Sequence, residues 1–347
     1  MAQPPLPQAD LESILRQTAP LWDELRGRQF FITGGTGFFG VWLLESLLHI
    51  NRALSLNLHA TVLTRDPASF ARRVPHIASA PPITLHAGDM TSFEYPRGEF
   101  AFVIHAATDV ANVADTSISR LTSICEGTGH VLRFAATHGT QKFLLTSSGA
   151  VYGRQPAHIT HVREDYPGAP VTIDLASAYG EGKRVSELLC AFHAASNAIE
   201  YKIARCFSFA GPGLAVDASF AIGNFIADVQ NGRPVSIAGD GTTVRSYLYA
   251  ADLAVWLWTI LLRGPALEPL NVGSEEAISI SELAHRVVAL LNPALDVTSA
   301  KQASKNQIPL RYVPSTEKAR KLLSLHATVG LDESIRRMAA WHGIHAK

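Results

Sequence analysis

The stretch RQFFITGGTGFFGVWLLESLL, residues 28 to 48, constrains the fold more than any other part of the chain. An apolar run, FFIT, breaks at a turn in which Gly34, Gly37 and Gly40 recur every third residue, and VWLLESLL follows as a helical pattern. In such a turn one glycine permits a sharp bend, a second lets the backbone approach a pyrophosphate, and a third lets helix and strand pack closely. Phosphate oxygens would then face the helix N-terminus. A glycine-rich connection of packing value only is the competing explanation, and the rest of the chain decides between them.

Downstream, β-rich runs alternate with helical patterns: HATVLT, ITLHAGD, FAFVIHAA, TSICEGTGHVLRFAATH and KFLLTSS follow the opening unit. Each strand run is apolar throughout instead of at every second residue, as a parallel sheet covered on both faces requires. The rhythm predicts an α/β fold, doubly wound around a parallel sheet. Residues 1–27 read as an N-terminal appendage whose Leu11, Ile14 and Leu15 mark a short amphipathic helix. Residues 28–207 form the expected dinucleotide-binding domain. Residues 208–347, where loops, helices and small strands mix, read mostly as a smaller mixed α/β substrate-binding lobe, with some segments returning to the first domain. The apolar run AVWLWTILL at 254 to 262 is too short to cross a bilayer and predicts a buried helix.

Composition narrows the function. The chain has 347 residues, 47% of them hydrophobic, enough for a large core. Lys plus Arg equals Asp plus Glu at 30 each, which removes the electrostatic footprint of a general nucleic-acid or membrane-surface binder. An anionic partner must therefore be met locally. Cys125, Cys190 and Cys206 form no CxxC pair and the opening residues carry no secretion signal pattern, so a cytoplasmic setting is expected. The 14 histidines are dispersed, HITH and HGIH lack a third ligand, and no metal site is expected.

Chemistry-bearing residues lie in the middle of the chain. Tyr179 and Lys183 are four apart in SAYGEGKRVSELLCAFHAA, which puts them on one helical face, with Val185, Leu188, Leu189 and Phe192 as the apolar stripe. Gly180 and Gly182 each cost about 1 kcal/mol in a helix interior, so something bulky, a nicotinamide or a sugar, is expected close by. A free tyrosine has a pKa of about 10, and bringing it to about 7 takes roughly 4 kcal/mol of anion stabilisation. A neighbouring ammonium in a partly desolvated cleft can supply it. About thirty residues earlier, FLLTSSGAVYG reads as a buried strand opening into a Ser-rich turn.

Taken in order, these motifs resemble the extended short-chain dehydrogenase/reductase family, in particular its nucleotide-sugar epimerase and dehydratase branch, whose first turn typically reads TGGTGFIG. The resemblance covers about residues 28 to 300. It implies a Rossmann-type sheet and an NAD(P) cofactor held by Gly34, Thr36, Gly37, Phe38, Phe39 and Gly40. Asp89 and Met90 in HAGDM would sit by the adenine, and Ala106 and Ala107 of HAA would line the pyrophosphate and ribose. Tyr179 would be the acid/base, and Lys183 would tune it and reach the cofactor ribose. Ser148, three residues before VYG, would bond the reacting oxygen, with Ser147 structural and Tyr152 core.

The second strand ends in Thr64-Arg65 where an NAD-preferring site usually carries an acid for the ribose 2′-OH. With Arg65, Arg72 and Arg73 nearby a 2′-phosphate would be tolerated, and NADP is favoured over NAD; Arg65 is equally suited to stacking on the adenine or to solvent. In the substrate lobe the resemblance assigns Arg245 of GDGTTVRSY to the diphosphate, a task suited to a guanidinium. Asn224 and Phe225 would line the nucleotide. Ser208 stands where the family commonly has an Asn on the phosphates.

Reaction type turns on the two residues after Ser148. Sugar 4,6-dehydratases of the family carry Asp-Glu there, and the related decarboxylases keep a Glu. This chain has Gly149-Ala150, neither of which exchanges a proton. The resemblance therefore implies an NDP-hexose epimerase acting by transient C4 oxidation and re-reduction, with a 4-ketoreductase as the close alternative and a 4,6-dehydratase less favoured. From another class, a non-catalytic dinucleotide-sensing protein is opposed by the intact Ser, Tyr and Lys set. Family members usually dimerise through two helices per subunit. The apolar faces of LTSICEGTGHVLRFAATH and SELLCAFHAA suit a homodimer, and simple burial against the sheet explains them equally.

Overall fold

A computed structural model describes residues 2–108, 118–216, 220–302 and 308–344. After helix α1 (Gln8–Thr18), strand and helix alternate through β1 (Gln29–Thr33), α2 (Phe38–Leu54), β2 (His59–Thr64), α3 (Pro67–Arg73), α4 (Pro75–Ala78) and β3 (Ile83–Ala87). The pattern continues with β4 (Phe102–His105), α5 (Ile118–Thr137), β5 (Lys142–Ser148), α6 (Ala178–Ala194) and β6 (Glu200–Cys206). Shorter pieces follow: β7 (Phe209–Ala210), α7 (Ala221–Gln230), β8 (Val235–Ile237), β9 (Val244–Arg245) and β10 (Leu248–Tyr249). Then come α8 (Ala250–Arg263), β11 (Leu270–Val272), β12 (Ile278–Ser279), α9 (Ile280–Leu291), β13 (Val297–Ser299), β14 (Arg311–Tyr312), α10 (Glu317–Leu323) and α11 (Leu331–Trp341).

Seven parallel strands form one sheet in the order β11-β6-β5-β4-β1-β2-β3, a Rossmann-type α/β arrangement. Successive strands are added outward from β1 on one side and from β4 on the other. A crevice opens at the carboxyl ends between those two strands, as such a reversal requires. Both faces are covered. Phe30 and Ile32 of β1 join the core on the α2 and α8 side, with Phe30 against Phe102 and Trp258, while Phe31 joins Phe93, Phe100 and Phe134 on the other side. This two-sided burial is why the strands read as unbroken apolar runs. The AVWLWTILL helix is α8, and all its residues except Thr259 and Arg263 are buried.

The second lobe has its own core, in which Ile222 and Phe225 of α7, Leu283 and Val287 of α9 and Ile335 and Met338 of α11 meet. A reciprocal capping box between Ser279 and Glu282 starts α9. Segments beyond residue 208 also belong to the first core: most of α8, Leu270 and Val272 of β11, and Ala319 of α10.

Two expectations change. The leader is no mere appendage: α1 buries Leu11 and Ile14 against α2 and α8, and the Leu6 N–H donates to the buried Glu45 carboxylate at 2.8 Å. On α6 the predicted apolar stripe splits: Leu188 is 54% and Phe192 64% exposed, while Val185 and Leu189 are half-buried and Leu189 packs against the core. The buried face is instead Gly180, Gly182, Lys183, Ser186 and Cys190. The cause is close packing. A Cβ at Gly182 would stand 3.1 Å from Ile124 of α5, and one at Gly180 would stand 2.8 Å from both the Ala150 carbonyl oxygen and Pro170. The bulky neighbours of these two glycines are thus protein groups, not a nicotinamide or a sugar.

Candidate active site

The glycine turn between β1 and α2 divides its labour residue by residue. Gly34 adopts φ +71°, and a Cβ there would come within 2.4 Å of the Ala106 carbonyl carbon at the end of β4. That is the sharp bend. Gly40 lies inside α2, where a Cβ would meet the backbone of Gly35 at 2.3 Å, so it serves packing and does not line the crevice. This corrects its expected place among direct cofactor contacts. Gly37 is the N-cap of α2, with no side chain capping the helix and nothing nearer to its Cβ position than the Gly34 carbonyl oxygen at 3.4 Å. Open backbone N–H groups at a helix start, beside a glycine with free space, fit an anionic pyrophosphate.

Ser148 ends β5, Tyr179 and Lys183 lie one turn apart in α6, and all three reach the same crevice. Lys183 is buried, and its Nζ donates to Thr108 Oγ1 at 2.6 Å and to the Thr146 carbonyl at 2.9 Å. Burial pulls its ammonium down to about 8, against the influence of Cys206 and Glu187. Its Nζ stands 5.9 Å from the centre of the Tyr179 ring. Burial pushes the Tyr179 phenol up to about 12, while the neighbouring Ser148 hydroxyl and Arg120 act in the opposite direction. Ser148 Oγ also accepts from the Ala150 N–H at 3.1 Å. Ser147 bonds away from the reaction centre, donating to Glu187 at 2.5 Å, and Tyr152 is buried and donates to Asn271 at 2.8 Å.

One cleft of about 1010 Å³ runs from the glycine turn past these groups into the second lobe. Gly34, Thr36, Gly37, Phe38, Phe39, Arg65, Asp89, Met90, Ala106 and Ala107 line it on the first lobe. Ser208, Asn224, Phe225 and Arg245 line it on the second. Asp89 accepts from the Thr91 N–H at 2.9 Å and hydroxyl at 2.6 Å. Burial works against its charge, but these bonds and Arg65 outweigh it and hold the carboxyl low. Arg245 lies 5.3 Å from the centre of the Tyr312 ring and has no carboxylate at ion-pair distance among the described residues. Burial lowers its pKa, the position of a cation that gains from an anionic ligand. Asp89 and Asp240 are the only carboxylates lining the cleft among the described residues, and Asp240 is bonded to its own loop through Thr242.

The sequence reading missed three participants. Thr108, the residue after HAA, anchors Lys183. Phe207 and Tyr312 fill the space a side chain at 149 would need: a Cβ on Gly149 would meet Phe207 Cζ at 2.6 Å and the Tyr312 hydroxyl at 2.8 Å. Thr108 had a local signal, its place behind a recognised motif; Tyr312 had none.

The sequence model of the NAD dependent epimerase/dehydratase family matches residues 30–273. Among curated proteins, UDP-glucuronic acid decarboxylase 6 of Arabidopsis thaliana is 27% identical over 326 residues, covering 92% of each chain. Among solved structures, UDP-glucose 4-epimerase of Thermotoga maritima with UDP-glucose superposes with a TM-score of 0.76 at 19% identity, over 91% of this chain and 98% of that one. UDP-glucuronic acid 4-epimerase of Bacillus cereus, in complex with UDP-glucuronic acid and NAD, gives 0.75 at 21% identity, over 90% and 98%.

Proposed function

The chain belongs to the NAD dependent epimerase/dehydratase family of nucleotide-sugar enzymes, and from that premise we propose that it inverts C4 of a nucleotide-diphosphate hexose by oxidation and re-reduction. It is an NAD-dependent enzyme of the extended short-chain dehydrogenase/reductase type. Bound NAD(P) supplies the hydride acceptor and donor. The start of α2 and the glycine turn hold its pyrophosphate. Tyr179 takes the proton of the sugar 4-hydroxyl and later returns it, Ser148 donates to the same oxygen, and the Lys183 ammonium favours the tyrosinate. Arg245 takes the diphosphate, and Asn224 and Phe225 line the nucleotide.

The observation that carries this reading is a hydroxyl, a phenol and an ammonium in one cleft whose only lining carboxylates among the described residues, Asp89 and Asp240, are bonded to their own loops. Elimination needs a second acid/base next to Ser148; a side chain at 149 would collide with Phe207 and Tyr312, and Ala150 carries no group that exchanges a proton. A 4-ketoreductase fits the same groups and differs only in releasing oxidised cofactor each turnover. Mass spectrometry of products from UDP-, dTDP-, GDP- and CDP-sugars, with and without added NAD(P)H, separates the outcomes. Mass-neutral conversion is expected; a gain of two hydrogens selects the reductase, and loss of water or carbon dioxide overturns the reading of Gly149-Ala150. Tyr179→Phe should abolish turnover and leave cofactor bound.

Two finer points belong to this proposal. NADP is favoured over NAD because Thr64 ends β2, the next acid, Asp66, is used in capping α3 through the Ser69 N–H at 2.8 Å, and Arg65 and Arg73 both face the cleft. A homodimer is favoured because Leu188 and Phe192 leave an apolar stripe on the outer face of α6.

A further inference from the structure

We infer that Tyr312 is a positioning residue which sets the direction in which Ser148 donates its proton, by ending a chain of three hydroxyls that begins at Tyr179. The inference rests on the proposed roles of Tyr179 and Ser148 and adds a residue from the far end of the chain. Tyr312 lies in β14, paired in parallel register with Arg245 of β9, and its ring packs on Phe207 at a 36° tilt with the ring centres 4.6 Å apart. Its hydroxyl is 3.3 Å from Ser148 Oγ and 3.4 Å from the Cys206 carbonyl oxygen. It enters the space that glycine at 149 leaves free of a side chain.

Counting protons gives the chain two consistent arrangements. A hydroxyl has one proton to give and two lone pairs to receive with. Ser148 always receives from the Ala150 N–H. When Tyr179 is neutral, it donates to Ser148, Ser148 donates to Tyr312, and Tyr312 donates to the Cys206 carbonyl. When Tyr179 is a tyrosinate and no sugar is bound, the order reverses: Tyr312 donates to Ser148 and Ser148 donates to Tyr179, leaving the Ser148 proton aimed at the place the sugar oxygen takes. Apart from the one proton that Tyr179 itself gives up, only hydroxyl rotations separate the two; Ser148 and both phenols keep a partner in each, and the Cys206 carbonyl has the Tyr312 donor in the first alone. The near-equal distances from Tyr312 to its two acceptors permit the switch. Burial raises the Tyr312 phenol well above its ordinary value, so it keeps the proton this role needs.

Tyr179 is faced by Ser148 from β5, Lys183 on its own helix, Arg120 from α5, and Cys206 from β6; Tyr312 is faced in turn by Arg245. The test reads Tyr179 alone. In the NAD(P)-loaded enzyme, the tyrosinate absorbance of each background minus that of its Tyr179→Phe counterpart gives the phenol's titration midpoint without any sugar substrate. Tyr312→Phe keeps the ring against Phe207, and unchanged cofactor affinity checks the fold. We expect Tyr312→Phe to raise the midpoint by about one pH unit, and to have no effect in a Ser148→Ala background. With a turned-over substrate, kcat should fall about tenfold with KM within about twofold. An unmoved midpoint, or an equal rise with and without Ser148, overturns the inference. Because the titration needs no substrate, a wrong sugar or reaction assignment leaves it intact, and a failed titration leaves the epimerase reading standing.

Discussion

Lys183 holds a cation where a cation is costly. Its ammonium is buried, partnered by two neutral oxygens, and pulled down to about 8. The sign of the consequence follows directly. Below that pH the ammonium is present and supports the Tyr179 anion; as pH rises through about 8 the charge is lost. The kcat/KM profile should therefore decline on its alkaline side near pH 8, although Tyr179 itself is by then easier to ionise. Lys183→Arg, which keeps its charge, should lower the rate through misfit yet remove that decline. An alkaline limb that persists in the arginine variant would assign it to another group. His105 is not that group: burial between Thr33 and Thr128 holds its imidazole neutral, with a pKa of about 3.

At the scale of elements, α6 shows what a hydrophobic pattern reveals and what it hides. A close-packed inner face of glycine, serine and cysteine leaves Leu188 and Phe192 outside and Val185 and Leu189 half-buried, so the period was readable and its direction only in part. If that outer stripe is a subunit contact, Phe192→Glu should shift the protein from dimer to monomer in light scattering, with little loss of secondary structure. A protein already monomeric before substitution would remove the contact. The unit of β1, turn and α2 was legible down to single glycines because each answers a local demand: a positive φ at 34, open backbone at 37, and contact with Gly35 at 40. Ser148, Tyr179 and Lys183 were legible because each stands at the end or on one face of a strongly patterned element. Tyr312 was not, since strand pairing across more than 60 residues brings it to Arg245 and a hydrophobic contact across about a hundred brings it to Phe207. Long-range placement of that kind leaves no mark in neighbouring residues.

At the scale of the molecule, the leader couples the two lobes and the cleft. Asp10 of α1 accepts from the Tyr249 hydroxyl and from Arg337 of α11, each at 2.6 Å, so one buried carboxylate joins the leader, the start of α8 and the second lobe. Nearer the terminus, the Gln3 N–H donates to the Arg73 carbonyl at 2.7 Å, and the Arg73 guanidinium donates to Gln3 Oε1 at 3.3 Å and to the Thr36 carbonyl in the glycine turn. Gln3 thereby holds at the mouth of the cleft one of the two arginines on which the NADP reading depends. Removing residues 2–7 takes away Gln3, the buried Leu6 side chain, the Pro7 carbonyl that receives the Asp10 and Leu11 N–H groups, and the Leu6 N–H that serves Glu45, whose buried carboxylate then keeps His76 alone among the described residues. Leaving such a group half-satisfied costs about 1–3 kcal/mol and losing the buried Leu6 side chain about 1.5–3 kcal/mol more, which in a chain of this size lowers Tm by several degrees. The shortened protein should therefore melt several degrees earlier and bind NADP several-fold more weakly, while NAD, with no 2′-phosphate, loses less. Calorimetry and titration of both cofactors separate the effects. A lower Tm with unchanged NADP affinity would mean that the leader braces the fold without orienting Arg73, and tighter binding of NAD than NADP by the full-length protein would take the 2′-phosphate away from Arg65 and Arg73 altogether.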